Sequence, residues 1–185
     1  MDPNIAVVIV HRKGSKLAEK AKKIHEIRAG MDCKVYAIED TNQEGWVQVM
    51  NKAFRELDFT HFVYSCDDYF PGRDYLKIAW NHMEKTGKRL VAFNDGKWHG
   101  HLATAGLVER RFVESIYKDG LFYTEYKMSY GDTELTDWAI HLDQYTYCPD
   151  AVLMEVDYEK ETKPHTNIED KRTYNSRNLD FKRFS

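Results

Sequence analysis

The chain has 185 residues, 42% of them hydrophobic and 31% charged, with a formal net charge of −3. That is the length of one domain with enough apolar mass for a core, and the acidic balance excludes a protein coated in basic surface. No apolar run approaches the roughly 20 residues that cross a bilayer, and Met1 to Asn4 lack the basic and apolar regions of a secretory leader. A cytoplasmic protein with no membrane span is therefore expected. Cys33, Cys66 and Cys148 are odd in number and irregular in spacing, which suggests neither a disulfide framework nor a zinc knuckle. Aromatic residues reach 14%, and amphipathic rings of this kind often line ligand clefts.

Strand-like and helix-like segments alternate from the start. Ile5 to Val10 is a continuous run rich in β-branched residues, the pattern of a strand buried on both faces. Lys16 to Arg28 places Leu17, Ala21, Ile24 and Ile27 at helical spacing. Lys34 to Ile38 reads as a second strand, Trp46 to Leu57 as a second helix and Phe62 to Tyr64 as a third strand. A helix over Asp74 to Glu84 and a strand over Leu90 to Phe93 complete a β-α-β-α-β-α-β series. Such a series predicts an α/β fold with a mostly parallel sheet flanked by helices. The second half is less regular. It offers a loop at Asn94 to His101, a strand at Leu102 to Val108, helices at Glu109 to Tyr117 and Gly131 to Leu142, and a last strand at Ala151 to Val156. Residues 171–185 form a polar, basic tail.

In parallel sheets, ligands bind beyond the carboxyl ends of the strands. Two acidic pairs, Glu39-Asp40 and Asp67-Asp68, fall at that edge. Adjacent carboxylates repel each other unless a cation or hydrogen-bond donors offset the charge, so Asp67-Asp68 marks a place for a divalent metal and a phosphorylated substrate. The simpler alternative is an acidic turn before Pro71.

Four segments carry a resemblance to the nucleotide-diphospho-sugar glycosyltransferases of the GT-A fold, in particular glycosyltransferase family 2. They are Ile5 to Arg12, Gly45 to Ala53, Phe62 to Pro71, and Gly131-Asp132-Thr133-Glu134-Leu135. They occur in the family's order over roughly residues 5–142. The resemblance implies a single glycosyltransferase domain over residues 1–185, with a nucleotide-binding half at 1–93, an acceptor and catalytic half at 94–160, and the tail at 161–185. It implies a hexosyltransferase that moves a sugar, with inversion, from a nucleotide-diphospho-sugar (a UDP-sugar first among donors) to an acceptor hydroxyl, with Mn²⁺ or Mg²⁺ stabilising the departing diphosphate.

Carried over residue by residue, the resemblance gives Asp67 as metal ligand with Asp68 supporting it. Ser65 stands where the family's motif has its first acid. His165, after the last strand, matches the histidine that often completes metal coordination. Asp132 becomes the general base that takes the acceptor's proton, while Gly131 replaces the glutamate usual before it. Val10, His11, Arg12, Glu39, Asp40, Asn51, Ser65, Cys66 and Trp98 are expected around the donor. The plain alternative for Asp132 is a helix N-cap.

His99 and His101 form a rival metal pair through their i, i+2 spacing. The acceptor is a saccharide, lipid-linked group, small molecule or nucleic acid. The basic aromatic tail (Lys171, Arg172, Tyr174, Arg177, Phe181, Lys182, Arg183, Phe184) offers phosphate and base contacts that would suit a hydroxylated base in DNA, or else packs on the core. Two other functions compete: a sugar-phosphate nucleotidyltransferase, and a nucleotide-sugar-binding module without catalysis.

Overall fold

A computed structural model of the chain describes residues 3–156 and 167–183. Its centre is a seven-stranded sheet with strands β1 (Ile5–Arg12), β2 (Lys34–Asp40), β3 (His61–Cys66), β4 (Tyr69–Pro71), β5 (Leu90–Asn94), β6 (Gly106–Glu109) and β7 (Tyr145–Glu155). The spatial order is β2-β1-β3-β6-β5-β7-β4. β1 pairs in parallel with β2 and β3, and β5 with β7, while β6 and β4 run antiparallel to their neighbours. The α/β fold read from the sequence is thus observed, with a mixed sheet in which, among the described residues, three of the six strand pairings are parallel and three antiparallel.

β1 is buried on both faces because it lies inside the sheet. Ala6, Val8 and Val10 enter one core layer, while Ile5 and Val7 enter the other. The first layer is covered by α2 (Trp46–Glu56), α4 (Arg110–Ile116), α5 (Gly131–His141) and α6 (Ile168–Ser176), which contribute Met50, Val113, Leu135 and Tyr174 among others. The second is covered by α3 (Tyr75–Thr86), through Tyr75, Leu76, Ala79 and Met83, together with α1 (Ala18–Arg28).

The structure departs from the sequence reading in several places, among them the strand expected from Leu102, which starts only at Gly106. On α1 the buried stripe is Ala18, Ala21 and His25, not the Leu17, Ile24 and Ile27 series; Ile27 is 71% exposed. Small side chains let this helix lie close to the sheet, so its larger apolar residues fall outside the contact. Asp67-Asp68 is followed by β4, a short antiparallel strand at the far edge of the sheet, paired with β7. β7 starts at Tyr145, six residues before the predicted start, and a bulge between its Cys148 and Val152 pairings hid its alternation. The tail contains α6, capped by the Asn167 side chain, which accepts from Glu169 N and Asp170 N.

The basic tail also packs inward. Arg177 and Arg183 form ion pairs with Glu134 and Asp137, both fully or almost fully buried. Phe181 stacks on His141 at a centroid distance of 4.2 Å. Of the readings open for this segment, packing on the core is therefore the one observed for its described part. Phe184 lies outside the described residues.

Candidate active site

The carboxyl ends of β1, β2 and β3 meet a cleft of about 620 Å³. The parallel register puts His11 beside Glu39, Arg12 beside Asp40, and Val10 beside both Ile38 and Cys66. From this edge Val10, His11, Arg12, Asp40, Cys66 and the pair Asp67-Asp68 line the cleft. Trp98, from the loop after β5, and Asp132, from the first turn of α5, line it as well. Residues expected from separate segments are thus gathered in one cavity.

The other expected residues lie elsewhere. Ser65 is 1% exposed, and its hydroxyl donates to the Cys66 carbonyl rather than facing the cleft. Asn51 is fully buried, and its Oδ1 accepts from Phe122 N at 2.8 Å, fixing the segment before α5. Glu39 points to the turn after β1, where Oε1 accepts from Gly14 N at 3.0 Å. His99 and His101 are exposed and line no part of the cleft. His165 lies outside the described residues. Among those residues, no group of three or more His, Cys, Asp or Glu side chains is placed to hold a metal ion.

Two of the cleft acids also organise backbone. Asp40 Oδ1 and Oδ2 accept from Glu44 N at 2.8 Å and Gly45 N at 2.9 Å, which tightens the entry into α2. Gly45 has φ +100, and a Cβ there would stand 2.4 Å from the Lys127 carbonyl, so the position requires glycine. Asp67 Oδ2 accepts a short hydrogen bond from Ser15 Oγ, tying the turn after β1 to the acidic turn after β3.

Asp132 sits at the second residue of α5 and is not its N-cap; Tyr130, in the left-handed region at φ 67, precedes the helix. Burial in the cleft wall pushes the Asp132 carboxyl up from 3.8 to about 6, against hydrogen bonds from Thr133 that favour the ionised form. A carboxylate with that pKa is ionised at pH 7 and is a stronger base than a solvated aspartate. Gly131, where the resembled family has an acid, packs on Phe122. A Cβ at 131 would stand 2.8 Å from that ring, so a glutamate cannot enter without displacing it.

Several cleft features escaped the sequence reading. Asp95, 2% exposed, accepts from Lys97 N and Trp98 N at 2.9 and 2.8 Å and from Thr104 Oγ1 at 2.6 Å, which shapes the Trp98 loop. Its signal was local: an aspartate two and three residues before the amides it caps is an Asx turn. Met128, Ser129 and Tyr130 form another wall. The backbone amides of Lys127, Met128 and Ser129 donate to the buried Asp170 carboxylate of α6 at 3.0, 2.8 and 2.9 Å. That contact spans some forty residues and has no local signal.

The donor set suits a hard cation. Asp67, Asp68 and Glu155 line the cleft, and carboxylate oxygens are the ligands that Mg²⁺ and Mn²⁺ prefer. With no preformed cage of three protein groups among the described residues, such an ion would be held jointly by one or two carboxylates and by phosphate oxygens of a ligand, the usual arrangement for Mg²⁺.

The fold is the GT-A fold of nucleotide-diphospho-sugar transferases. No family model matches the sequence, and no curated protein matches it. Among solved structures the chain is similar to the mannosyltransferase PcManGT from Pyrobaculum calidifontis in complex with GDP-Man and Mn²⁺. The TM-score is 0.65 at 15% identity, over 85% of this chain and 58% of that one. It is similar to S. aureus TarS in complex with UDP-GlcNAc, with TM-score 0.65 and 11% identity over 90% of this chain and 63% of that one. A mutant Drosophila beta-1,4-galactosyltransferase 7 in complex with manganese, UDP-Gal and xylobiose gives 0.62 and 10%, over 89% and 75%. The chain spans less than two thirds of the length of the first two. At these identities the likeness establishes the fold.

Proposed function

We propose that the protein is a glycosyltransferase that moves a sugar from a nucleotide-diphospho-sugar to an acceptor hydroxyl, with inversion and with a divalent metal. The observation that carries this reading is one cleft, in a GT-A fold, that holds the Asp67-Asp68 pair and the raised-pKa Asp132 together. The structural neighbours named above were solved with GDP-Man, UDP-GlcNAc or UDP-Gal, two of them with manganese, which supports a nucleotide-sugar donor and a metal.

Asp67, supported by Asp68, would hold a divalent ion at the donor site. When bound, a divalent ion there offsets the charge that the leaving diphosphate gains. Arg12 and His11, at the end of β1, and Trp98 border the donor. Asp132 accepts the proton of the attacking hydroxyl, and one base suffices for direct displacement with inversion.

The test is thermal stability against a panel of nucleoside diphosphates and nucleotide sugars, with and without Mn²⁺. A donor at a hundred times its Kd should stabilise the fold by about 2.7 kcal/mol. A metal-dependent shift with one nucleotide class supports the reading. Absence of any shift, with metal present, rejects it.

A further inference from the structure

The loop and helix that follow the cleft edge of β1 concentrate cations in an otherwise acidic chain. Residues 12–28 hold seven Lys or Arg and two acids, which leaves 20 basic and 28 acidic residues elsewhere. Arg12 lines the cleft; Lys13 and Lys16, in the turn after β1, and Lys20 and Lys23, on α1, are exposed. None of these five groups makes an ion pair among the described residues; Lys20 Nζ lies 5.5 Å from the Phe70 ring centroid.

The geometry is a line, not a cloud. At about 100° per residue, Lys20 and Lys23 fall within roughly 60° of one another, opposite the buried Ala18, Ala21 and His25, and Lys16 lies in the bend just before the helix. Lys20 and Lys23 are offset by roughly 4.5 Å along the helix axis. Glu19 and Glu26 lie on one flank of this face. The turn that starts the row is held in place, since Gly14 N donates to Glu39 and Ser15 Oγ to Asp67, and these two acids are the carboxylates beside it.

We propose that this row is a docking track for an extended phosphodiester chain whose end enters the cleft as acceptor. The role of acceptor rests on the glycosyltransferase reading; the track itself rests on the charge row. Spaced point charges suit a linear polyanion, and the acidic remainder of the chain steers such a partner to this one face. A membrane surface fits less well. The outward face of α1 carries one apolar side chain, Ile27, and Leu17 falls toward the other flank, so there is no apolar stripe to insert.

The experiment uses the full chain and a fluorescein-labelled single-stranded oligothymidylate, a defined phosphodiester, titrated at several salt concentrations. The variant Lys16→Gln/Lys20→Gln/Lys23→Gln keeps good helix formers and lies outside the cleft. It should bind at least about tenfold more weakly and lose about 2 from the slope of log affinity against log salt, three contacts at about 0.7 each. The matched variant Lys52→Gln/Lys85→Gln/Lys118→Gln, also at exposed lysines, should bind as the parent does. Equal losses in the two variants, or no loss in the first, overturn the track. Capture by phosphatidylglycerol vesicles with no oligonucleotide binding overturns it in favour of a membrane surface. Donor stabilisation, measured on the same proteins, should be unchanged by the lysine variants. If the parent binds the oligonucleotide but no nucleotide sugar, the track stands and the glycosyltransferase reading falls.

Discussion

The Arg177 guanidinium grips both carboxylate oxygens of Glu134, with Nε at 2.9 Å from one and Nη2 at 2.8 Å from the other. Glu134 is fully buried and also accepts from the Tyr117 and Tyr126 hydroxyls at 3.1 and 2.7 Å. Its charge is met by four hydrogen bonds, and pairing of this kind is what lets a carboxylate stay buried. On the other side of the guanidinium lies Tyr123, with the ring centroid 3.6 Å away. Truncation in Arg177→Ala strands Glu134, and the expected cost is about 3–5 kcal/mol. Denaturant unfolding measures it. Adding Glu134→Gln should recover part of the loss, because the stranded charge goes with it.

Asp132→Asn should leave donor binding intact and lower the rate of transfer by about 10²–10⁴-fold, the usual worth of a positioned base. With Asp132 raised to about 6, the parent's rate should fall as pH drops through 6. A variant with full activity would remove Asp132 from the role of base. Its carboxyl pKa is higher folded than unfolded, so ionisation costs stability at neutral pH. Asp132→Asn should therefore unfold later than the parent at pH 7, by about 1–3 kcal/mol.

Asp67→Ala should abolish metal-dependent donor stabilisation. The same change removes the acceptor for Ser15 Oγ and loosens the turn after β1. Ser15→Ala separates the two effects: it frees the turn and keeps the carboxylate. Metal-dependent stabilisation retained in Ser15→Ala and lost in Asp67→Ala assigns the loss to the ion; loss in both assigns it to the turn.

His25 is fully buried beneath α1, with Nδ1 hydrogen-bonded to the Tyr75 hydroxyl at 2.7 Å. Burial drives its pKa down from 6.5 to about 4. Between those values the unfolded chain binds a proton that the folded chain refuses. The stability His25 contributes is thus whole above pH 6.5 and drains away toward pH 4, by about 3 kcal/mol. Asp132 works the other way over much of the same window, since there the folded chain takes up the extra proton. Stability–pH curves of His25→Leu should lose the downward component, and those of Asp132→Asn the upward one.

Gly131→Glu restores the acid of the resembled pattern and should not improve function. The new Cβ meets Phe122 at 2.8 Å, and overpacking of this kind costs about 1–3 kcal/mol. A lower melting temperature without a gain in transfer is the expected result.

The sheet was legible because its cause is local. The run from Ile5 to Val10 can be dry on both sides only in the middle of a sheet, and the alternating helices then dictate parallel neighbours. The acids at the strand ends followed from that geometry, and nine of the expected residues do line one cleft. What stayed hidden was long-range. Nothing near Asp170 says that it will cap three amides more than forty residues earlier, and nothing near Arg183 says that it will find Asp137. Asn51 and Ser65 fall outside the cleft lining for the same reason. Their partners, Phe122 N for one and a carbonyl away from the cleft for the other, are set by packing and not by spacing.

The carboxylate of Asp170 has a consequence for how the molecule is made. The wall at 127–129 hangs on a side chain synthesised some forty residues later, and the buried Glu134 and Asp137 receive their arginines later still. A ribosome-bound chain that has released α5 but not α6 would hold two core carboxylates with no arginine to meet them. The cleft therefore cannot be finished until α6 has emerged. A stretch that emerges after all of the cleft's acids thus sets the shape of their site.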